Sequence, residues 1–312
     1  MSLSSIFATD FHNIWKDRSK KIPYNEIDQF RLLQEVIQTL SKKYYIEEYH
    51  GNNHQVSFPT EKKWSKKIGR CELSDLMVIT YSDTPELNIR LCFIQAKRSV
   101  KQYVFCGTQP LQSSSFTFSA NLEQWDLLSN KPIIIGVPPF QPPSSLLRDS
   151  ILSSVGTFVV FHKTNNGEVS FFYTTADTLK PKGEPKKKKA SLILKPSFST
   201  HQDERSQYIE QTFACCPYIF SRALFEGLIG TPIHNNPYID KCALRDLQKW
   251  LSEVYNKISK EKKFPIFENI IQGFDRNELY LRTDTESEPP SNLIVINTDK
   301  KKGYLIENNR NE

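Results

Sequence analysis

Between Tyr24 and Tyr45 the apolar residues recur at steps of three and four, and Ile27, Phe30, Leu33, Ile37, Leu40 and Tyr44 form one stripe. That spacing predicts an amphipathic helix, with Pro23 and Asn25 as start signals. The pattern then changes. Leu73 to Tyr81 and Ile89 to Ala96 are almost continuously apolar and are joined by "SDTPEL", whose residues favour a turn. They predict a hairpin of two strands buried on both faces. Further on, "NLEQWDLLSN" predicts a short helix and "KPIIIGV" a buried strand. "TFVVFH" and "EVSFFYTT" predict a second hairpin around "KTNNGE", where Asn-Asn-Gly supplies positive φ angles.

From Asp177 to Ala190, "DTLKPKGEPKKKKA" has the composition of a linker or exposed loop. Beyond it, "DERSQYIEQTFACCPYIFSRALFEGLIG" and "DKCALRDLQKWLSEVYNKI" are helical by period, and the last residues offer one or two short strands. The expected organisation is α/β. Residues 1–185 form a unit with a mixed central sheet flanked by helices. Residues 186–312 form a mainly helical region serving DNA binding or dimerisation.

Composition narrows the class. Of 312 residues, 38% are hydrophobic and 24% charged, values of an ordinary globular chain. No apolar run approaches the ~18 residues of a bilayer span, and the first residues lack the apolar core of a secretory signal. A cytoplasmic protein without a membrane partner is expected. The six cysteines form no Cys-x-x-Cys pair and the six histidines no paired motif, so a zinc site is not expected. The cysteines read as reduced core thiols, with the side chains of adjacent Cys215 and Cys216 expected to diverge. No phosphate-binding Gly-Lys-Ser/Thr loop is present. The net charge of +6 permits contact with nucleic acid without requiring it. The lysine tracts "EKKWSKKIGR" and "EPKKKKA" read as solvated loops.

The informative residues are the polar ones inside the apolar runs. Side chains alternate along a strand, so Leu91, Phe93, Gln95 and Lys97 share one face, and Asp75 shares a face with Met77 and Ile79. A hairpin about the turn brings the start of the first strand beside the end of the second, so Asp75 meets Gln95 and Lys97. A carboxylate and an amide oxygen are hard ligands suited to Mg²⁺, and a neighbouring ammonium stabilises charge on a phosphate undergoing transfer. Glu26, at the start of the predicted helix, lies within its apolar stripe, whereas Glu35 lies opposite. Glu72 falls on the strand face opposite Asp75 and reaches the site only through an irregular strand start. Arg98 and Lys101 suit phosphate contacts, and Gln124 is placed to face the site from the following helix.

"Asp75 … Gln95-Ala96-Lys97" resembles the core motif of the PD-(D/E)XK nuclease superfamily, in which an acidic residue on one strand precedes (Glu/Gln)-x-Lys on the next. The string "FIQAKR" is similar to the Gln-x-Lys element of Mrr-type restriction endonucleases. Ser74 stands where the superfamily often has proline, and no glycine-rich turn flanks the aspartate. The resemblance implies a restriction-endonuclease-like core and a Mg²⁺-dependent (alternatively Mn²⁺-dependent) endonuclease acting on DNA in restriction or phage defence. It implies Asp75, Gln95 and Glu26 as metal ligands, Lys97 as the residue that positions or activates water, and Glu26 or Glu72 as the added carboxylate. Cutting both strands implies a homodimer, and a defence role implies a partner subunit. The competing expectations are an inactive nucleic-acid-binding scaffold with the same fold and a nuclease acting on RNA.

Overall fold

The computed structural model describes residues 2–40, 46–48, 54–60, 62, 64–65, 67–82, 88–103, 116–194, 200–204, 208–234, 240–259 and 292–297. Its helices are α1 (Leu3–Ser19), α2 (Glu26–Leu40), α3 (Leu122–Asn130), α4 (Pro217–Phe225) and α5 (Lys241–Ser259). The strands of the first half are β1 (Ile46–Glu48), β2 (Gln55–Pro59), β3 (Ile68–Glu72), β4 (Leu76–Ser82), β5 (Asn88–Gln102), β6 (Thr117–Asn121), β7 (Ile135–Gly136), β8 (Gly156–Lys163), β9 (Val169–Thr175) and β10 (Leu179–Pro181). Those of the second are β11 (Lys189–Leu194), β12 (Thr200–Gln202), β13 (Ile209–Gln211), β14 (Phe213–Ala214), β15 (Thr231–Pro232) and β16 (Asn292–Asn297).

The molecule is α/β, built on a mixed sheet in the order β1-β16-β4-β5-β8-β9-β14, with β15 added along β5. β4 and β5 are antiparallel, as are β8 and β9; β5–β8 and β16–β4 are parallel. Every residue of β4 is buried, and β5 is buried from Ile89 to Lys97. Such continuous runs are what a strand covered on both faces requires. One cover contains Phe7, Phe11 and Trp15 of α1, Leu32, Leu33, Val36 and Ile37 of α2, and Phe220 and Leu224 of α4, packed on Val78, Ile94 and Phe161. The other contains Leu127 and Leu128 of α3 and Trp250 and Leu251 of α5, packed on Met77, Phe93 and Phe158.

Local chemistry explains the helix ends. The Ser2 hydroxyl accepts the Ser5 N–H at the start of α1, and the Asn121 side chain accepts the Glu123 N–H at the start of α3. Pro217 occupies the first turn of α4, where its missing N–H has no intrahelical partner to lose. α1 is absent from the sequence expectations, although Phe7, Phe11 and Trp15 recur every four residues. Trp15 stacks on Phe161 at 5.8 Å, meets Phe171 edge-on and donates its ring N–H to the Val169 carbonyl at 3.0 Å.

Several expectations are corrected by tertiary pairing. The supposed linker at 177–190 contains β10 and the start of β11, which form a three-stranded sheet with β6. The segment 203–230, helical by period, has among its described residues one helix, α4, and β13 and β14 precede it. Residues 186–312 are mixed, with two helices and six strands among the described residues. β11 pairs with β6, β14 with β9, β15 with β5 and β16 with β4. A division near residue 185 would therefore separate strands that are hydrogen-bonded to one another. In "KPIIIGV", Ile134 is buried but Ile133 and Ile135 are exposed, because only a two-residue bridge to β2 forms there. Ile27 of the predicted stripe is also exposed, with burial carried instead by Leu32, Leu33, Val36 and Ile37. Tyr44, the turn 83–87, Cys106, residues 260–291 and the tail after 297 lie outside the described residues. Among those described, no helix is long and apolar enough to cross a membrane.

Candidate active site at the end of the β4–β5 hairpin

β5 outruns β4. The ladder between them begins at the pair Leu76–Ile94, with the Asp75 N–H donating to the Ile94 carbonyl at 3.0 Å. Past that point no described strand pairs with the β4-facing edge of β5, and buried or half-buried N–H groups there need other acceptors. Two carboxylates supply them. Asp75 Oδ2 accepts the Ala96 N–H at 2.7 Å, and Glu26 Oε2 accepts the Arg98 N–H at 3.2 Å. Asp75 comes from the irregular entry to β4, Glu26 from the first turn of α2.

Lys97 lies between these two peptide groups. Its Nζ is 3.7 Å from Asp75 Oδ2 and 3.6 Å from Glu26 Oε1. It also donates to the Ala96 carbonyl at 2.7 Å and the Gln95 Oε1 at 3.4 Å. The lysine is nearly buried, while the Glu26 carboxylate is half exposed and that of Asp75 less so. The ammonium is thus held from below by backbone and amide oxygens, with carboxylates on the solvent side.

The five sequence candidates fare differently. Asp75, Lys97 and Glu26 converge directly. Gln95 shares the face of Lys97, as alternation requires, but is fully buried; its Oε1 faces Lys97 and its Nε2 has no hydrogen-bond partner among the described residues. Glu72 is the last residue of β3, which belongs to the sheet β3-β2-β7 rather than to the main sheet. Leu73 to Asp75 form the crossing between the sheets, so strand parity does not carry from Glu72 to Asp75. The Glu72 carboxyl is held above its ordinary pKa, first by burial and then by the charge of Asp75, with Lys97 opposing. Glu72 therefore belongs to the electrostatic neighbourhood of the site.

Of the lesser candidates, Gln124 is buried on α3 and Glu35 is exposed on α2. Arg98 and Lys101 are exposed on the free end of β5. The Arg98 guanidinium donates to the Tyr24 carbonyl at 3.0 Å and lies over the Tyr24 ring, as does the Lys163 ammonium, each 5.3 Å from the centroid. Sequence reasoning does not reach Tyr24 or Lys163. The available signal was that Lys163 closes an apolar run, as Lys97 does.

Two other polar clusters are built on buried acidic side chains. Buried Glu123 of α3 accepts from Ser65 at 2.5 Å and pairs with Lys188 at 2.8 Å, so one lysine of the "EPKKKKA" tract has a structural partner. Buried Glu210 accepts the N–H groups of Ser153 and Ser154, near Arg90, whose guanidinium is drawn down to about 10 by burial. The sulfurs of Cys215 and Cys216 lie 3.8 Å apart instead of diverging, because the pair sits at the junction of β14 and α4. Among the described residues no group of three or more His, Cys, Asp or Glu is arranged to hold a metal ion. Comparison of the chain with protein-family models, curated proteins and solved structures finds no match.

Proposed function

We propose that the chain is a Mg²⁺-dependent nuclease with a restriction-endonuclease-like core, hydrolysing DNA phosphodiester bonds at Asp75, Glu26, Glu72, Gln95 and Lys97. One observation carries the reading. Carboxylates from two separate elements and a lysine from a third meet within 3.7 Å at the open end of the sheet. That is the place where an acidic residue followed by Gln-x-Lys would act.

The donor set fits Mg²⁺, which is commonly bound by one or two carboxylates, with water and substrate phosphate completing the shell. Asp75 and Glu26 would hold the ion, with Glu72 as a further carboxylate and Gln95 through its amide oxygen once Lys97 releases it. Bound there, Mg²⁺ supplies a polarised water and neutralises charge on the phosphate. The chain's own residues do the rest. Lys97 holds or orients the attacking water and stabilises charge on the phosphoryl oxygens. Ala96 and Arg98 fix Asp75 and Glu26 through their N–H groups, so the carboxylates do not have to be ordered at each turnover.

The second reading is a nucleic-acid-binding scaffold. It is favoured by the double duty of Asp75 and Glu26, which already satisfy the bare edge of β5. Plasmid DNA, single-stranded DNA and labelled RNA incubated with Mg²⁺ or Mn²⁺ separate the alternatives. Cleavage of DNA that is lost in Asp75→Asn, Lys97→Met and Glu26→Gln supports the nuclease. Cleavage that survives all three removes the site assignment, cleavage of RNA alone changes the substrate, and binding without cleavage favours the scaffold.

A further inference from the structure

Beside the carboxylates, on the free end of β5, the charge changes sign. Arg98 and Lys163 rest over one tyrosine ring, Tyr24, whose hydroxyl donates to the Ser99 carbonyl at 2.5 Å and the Phe161 carbonyl at 3.2 Å. The ring is thereby pinned to both strands at their ends, and the two cations are pinned to the ring. Lys101 follows on β5, next to Gln102, the register partner of Lys163. All three cations are exposed. Among the described residues, none of the three has a carboxylate within ion-pair distance.

Holding like charges together on a rigid platform costs free energy that solvent and salt relieve only in part. Elsewhere, clustered lysines share a carboxylate: Lys16 and Lys20 both pair with Glu168, at 3.2 and 3.4 Å. At the Tyr24 platform no described carboxylate is shared in that way, and an anion from outside would complete it. Exposed Val100 and Ile27 lie on the same two elements that form the rim, the end of β5 and the start of α2. An elongated polyanion with an apolar side suits such a rim better than a small ion.

We propose that Arg98, Lys163 and Lys101, set on the Tyr24 platform, form the track that carries the phosphodiester backbone of a nucleic acid away from the candidate active site. The proposal rests on the nuclease reading for the identity of the polymer. It adds the direction in which the polymer leaves, which is along the end of β5 over the start of α2. Cations on α5, across the main sheet, have no part in it.

The test is binding of a fluorescent DNA duplex to the full chain, read by anisotropy in EDTA so that no turnover occurs, across a salt series. Each phosphate contact contributes about 0.9 to the slope of log affinity against log salt. Arg98→Gln combined with Lys163→Gln is expected to weaken binding about tenfold or more near 0.1 M salt and to lower the slope by about two. Lys163→Gln alone, which removes no hydrogen bond of the fold, is expected to lower it by about one. The matched pair Lys241→Gln and Lys249→Gln on α5 is expected to leave the slope unchanged. An unchanged slope in the Arg98/Lys163 variant, or an equal loss in the α5 variant, overturns the track. The two readings fail separately. If Asp75→Asn abolishes cleavage while the Arg98/Lys163 variant binds like wild type, the track is wrong and the nuclease stands. If cleavage is never seen but the slope falls as stated, the track stands and the nuclease does not.

Discussion

Asp75 accepts the backbone N–H of Ala96, the residue between Gln95 and Lys97, at 2.7 Å. The first acidic residue of the motif is thus clamped to the peptide that carries the other two. Where the β4–β5 ladder ends, a side-chain oxygen takes over from the carbonyl that a longer β4 would have offered. The geometry of the candidate site and the termination of the strand ladder thus share one hydrogen bond.

That bond makes a prediction about stability. Asp75→Ala leaves the Ala96 N–H without its acceptor and Lys97 with one carboxylate fewer. A buried donor stripped of its partner costs about 1–3 kcal/mol. Asp75→Asn keeps an oxygen in reach and is expected to cost less. Urea denaturation of both variants measures the difference; equal loss would show that the bond does not hold the strand.

Glu72 predicts a pH dependence. Its carboxyl is raised in the fold, mainly by burial and then by Asp75, while the unfolded chain returns it to about 4.3. Ionisation therefore works against the folded state. The stability associated with the neutral carboxyl is complete below the ordinary value and is lost as pH rises through the raised one. Glu72→Gln removes that loss, so its Tm is expected to exceed that of wild type at pH 7 and to match it near pH 4, about the ordinary carboxylate value. Mg²⁺ is expected to raise the wild-type Tm and to shrink the gap at pH 7. A gap independent of pH would remove Glu72 from the electrostatics of the site.

His162 has the opposite sign. It is fully buried at the end of β8, and burial pushes its imidazole down to about 4. The neutral ring's contribution is present above the unfolded value of about 6.5 and is lost as pH falls toward the folded value, a difference on the order of 3 kcal/mol. Thermal denaturation from pH 7 to pH 4 is expected to show a steeper decline in wild type than in His162→Gln. Parallel curves would contradict it.

Trp15 fastens α1 to β8 and β9 through two ring contacts and one hydrogen bond. Truncation of a buried aromatic to alanine costs about 3–5 kcal/mol. Trp15→Ala is expected to lose that much in chemical denaturation. A loss below about 1 kcal/mol would mean that α1 contributes little to the fold.

The part of the site built from neighbouring strands was legible in the chain. Alternation alone places Gln95 and Lys97 together, and two apolar runs of hairpin spacing place Asp75 opposite them. The β8–β9 hairpin was legible for the same reason, with Gly167 at the positive φ its turn requires. For Glu72 the sequence left the outcome to the start of the strand, because its parity opposite Asp75 holds only if the strand runs on regularly between them. The chain changes sheets at Leu73–Asp75, and period-two counting does not survive that break.

Sequence by itself determined what depends on a few consecutive residues: the helical character of α2, the buried strands β4 and β5, and which side chains of a strand share a face. Only the tertiary structure decided the rest. Glu26 reaches Lys97 because α2 packs against a sheet whose position is set by residues far along the chain. The lysine-rich stretch near 185 enters a hairpin because β11 pairs with β6, about seventy residues earlier in the chain. Composition reports how a segment would behave in water. It carries no information about which distant strand edge is open to receive it, and that is settled only when the whole sheet closes its hydrogen bonds.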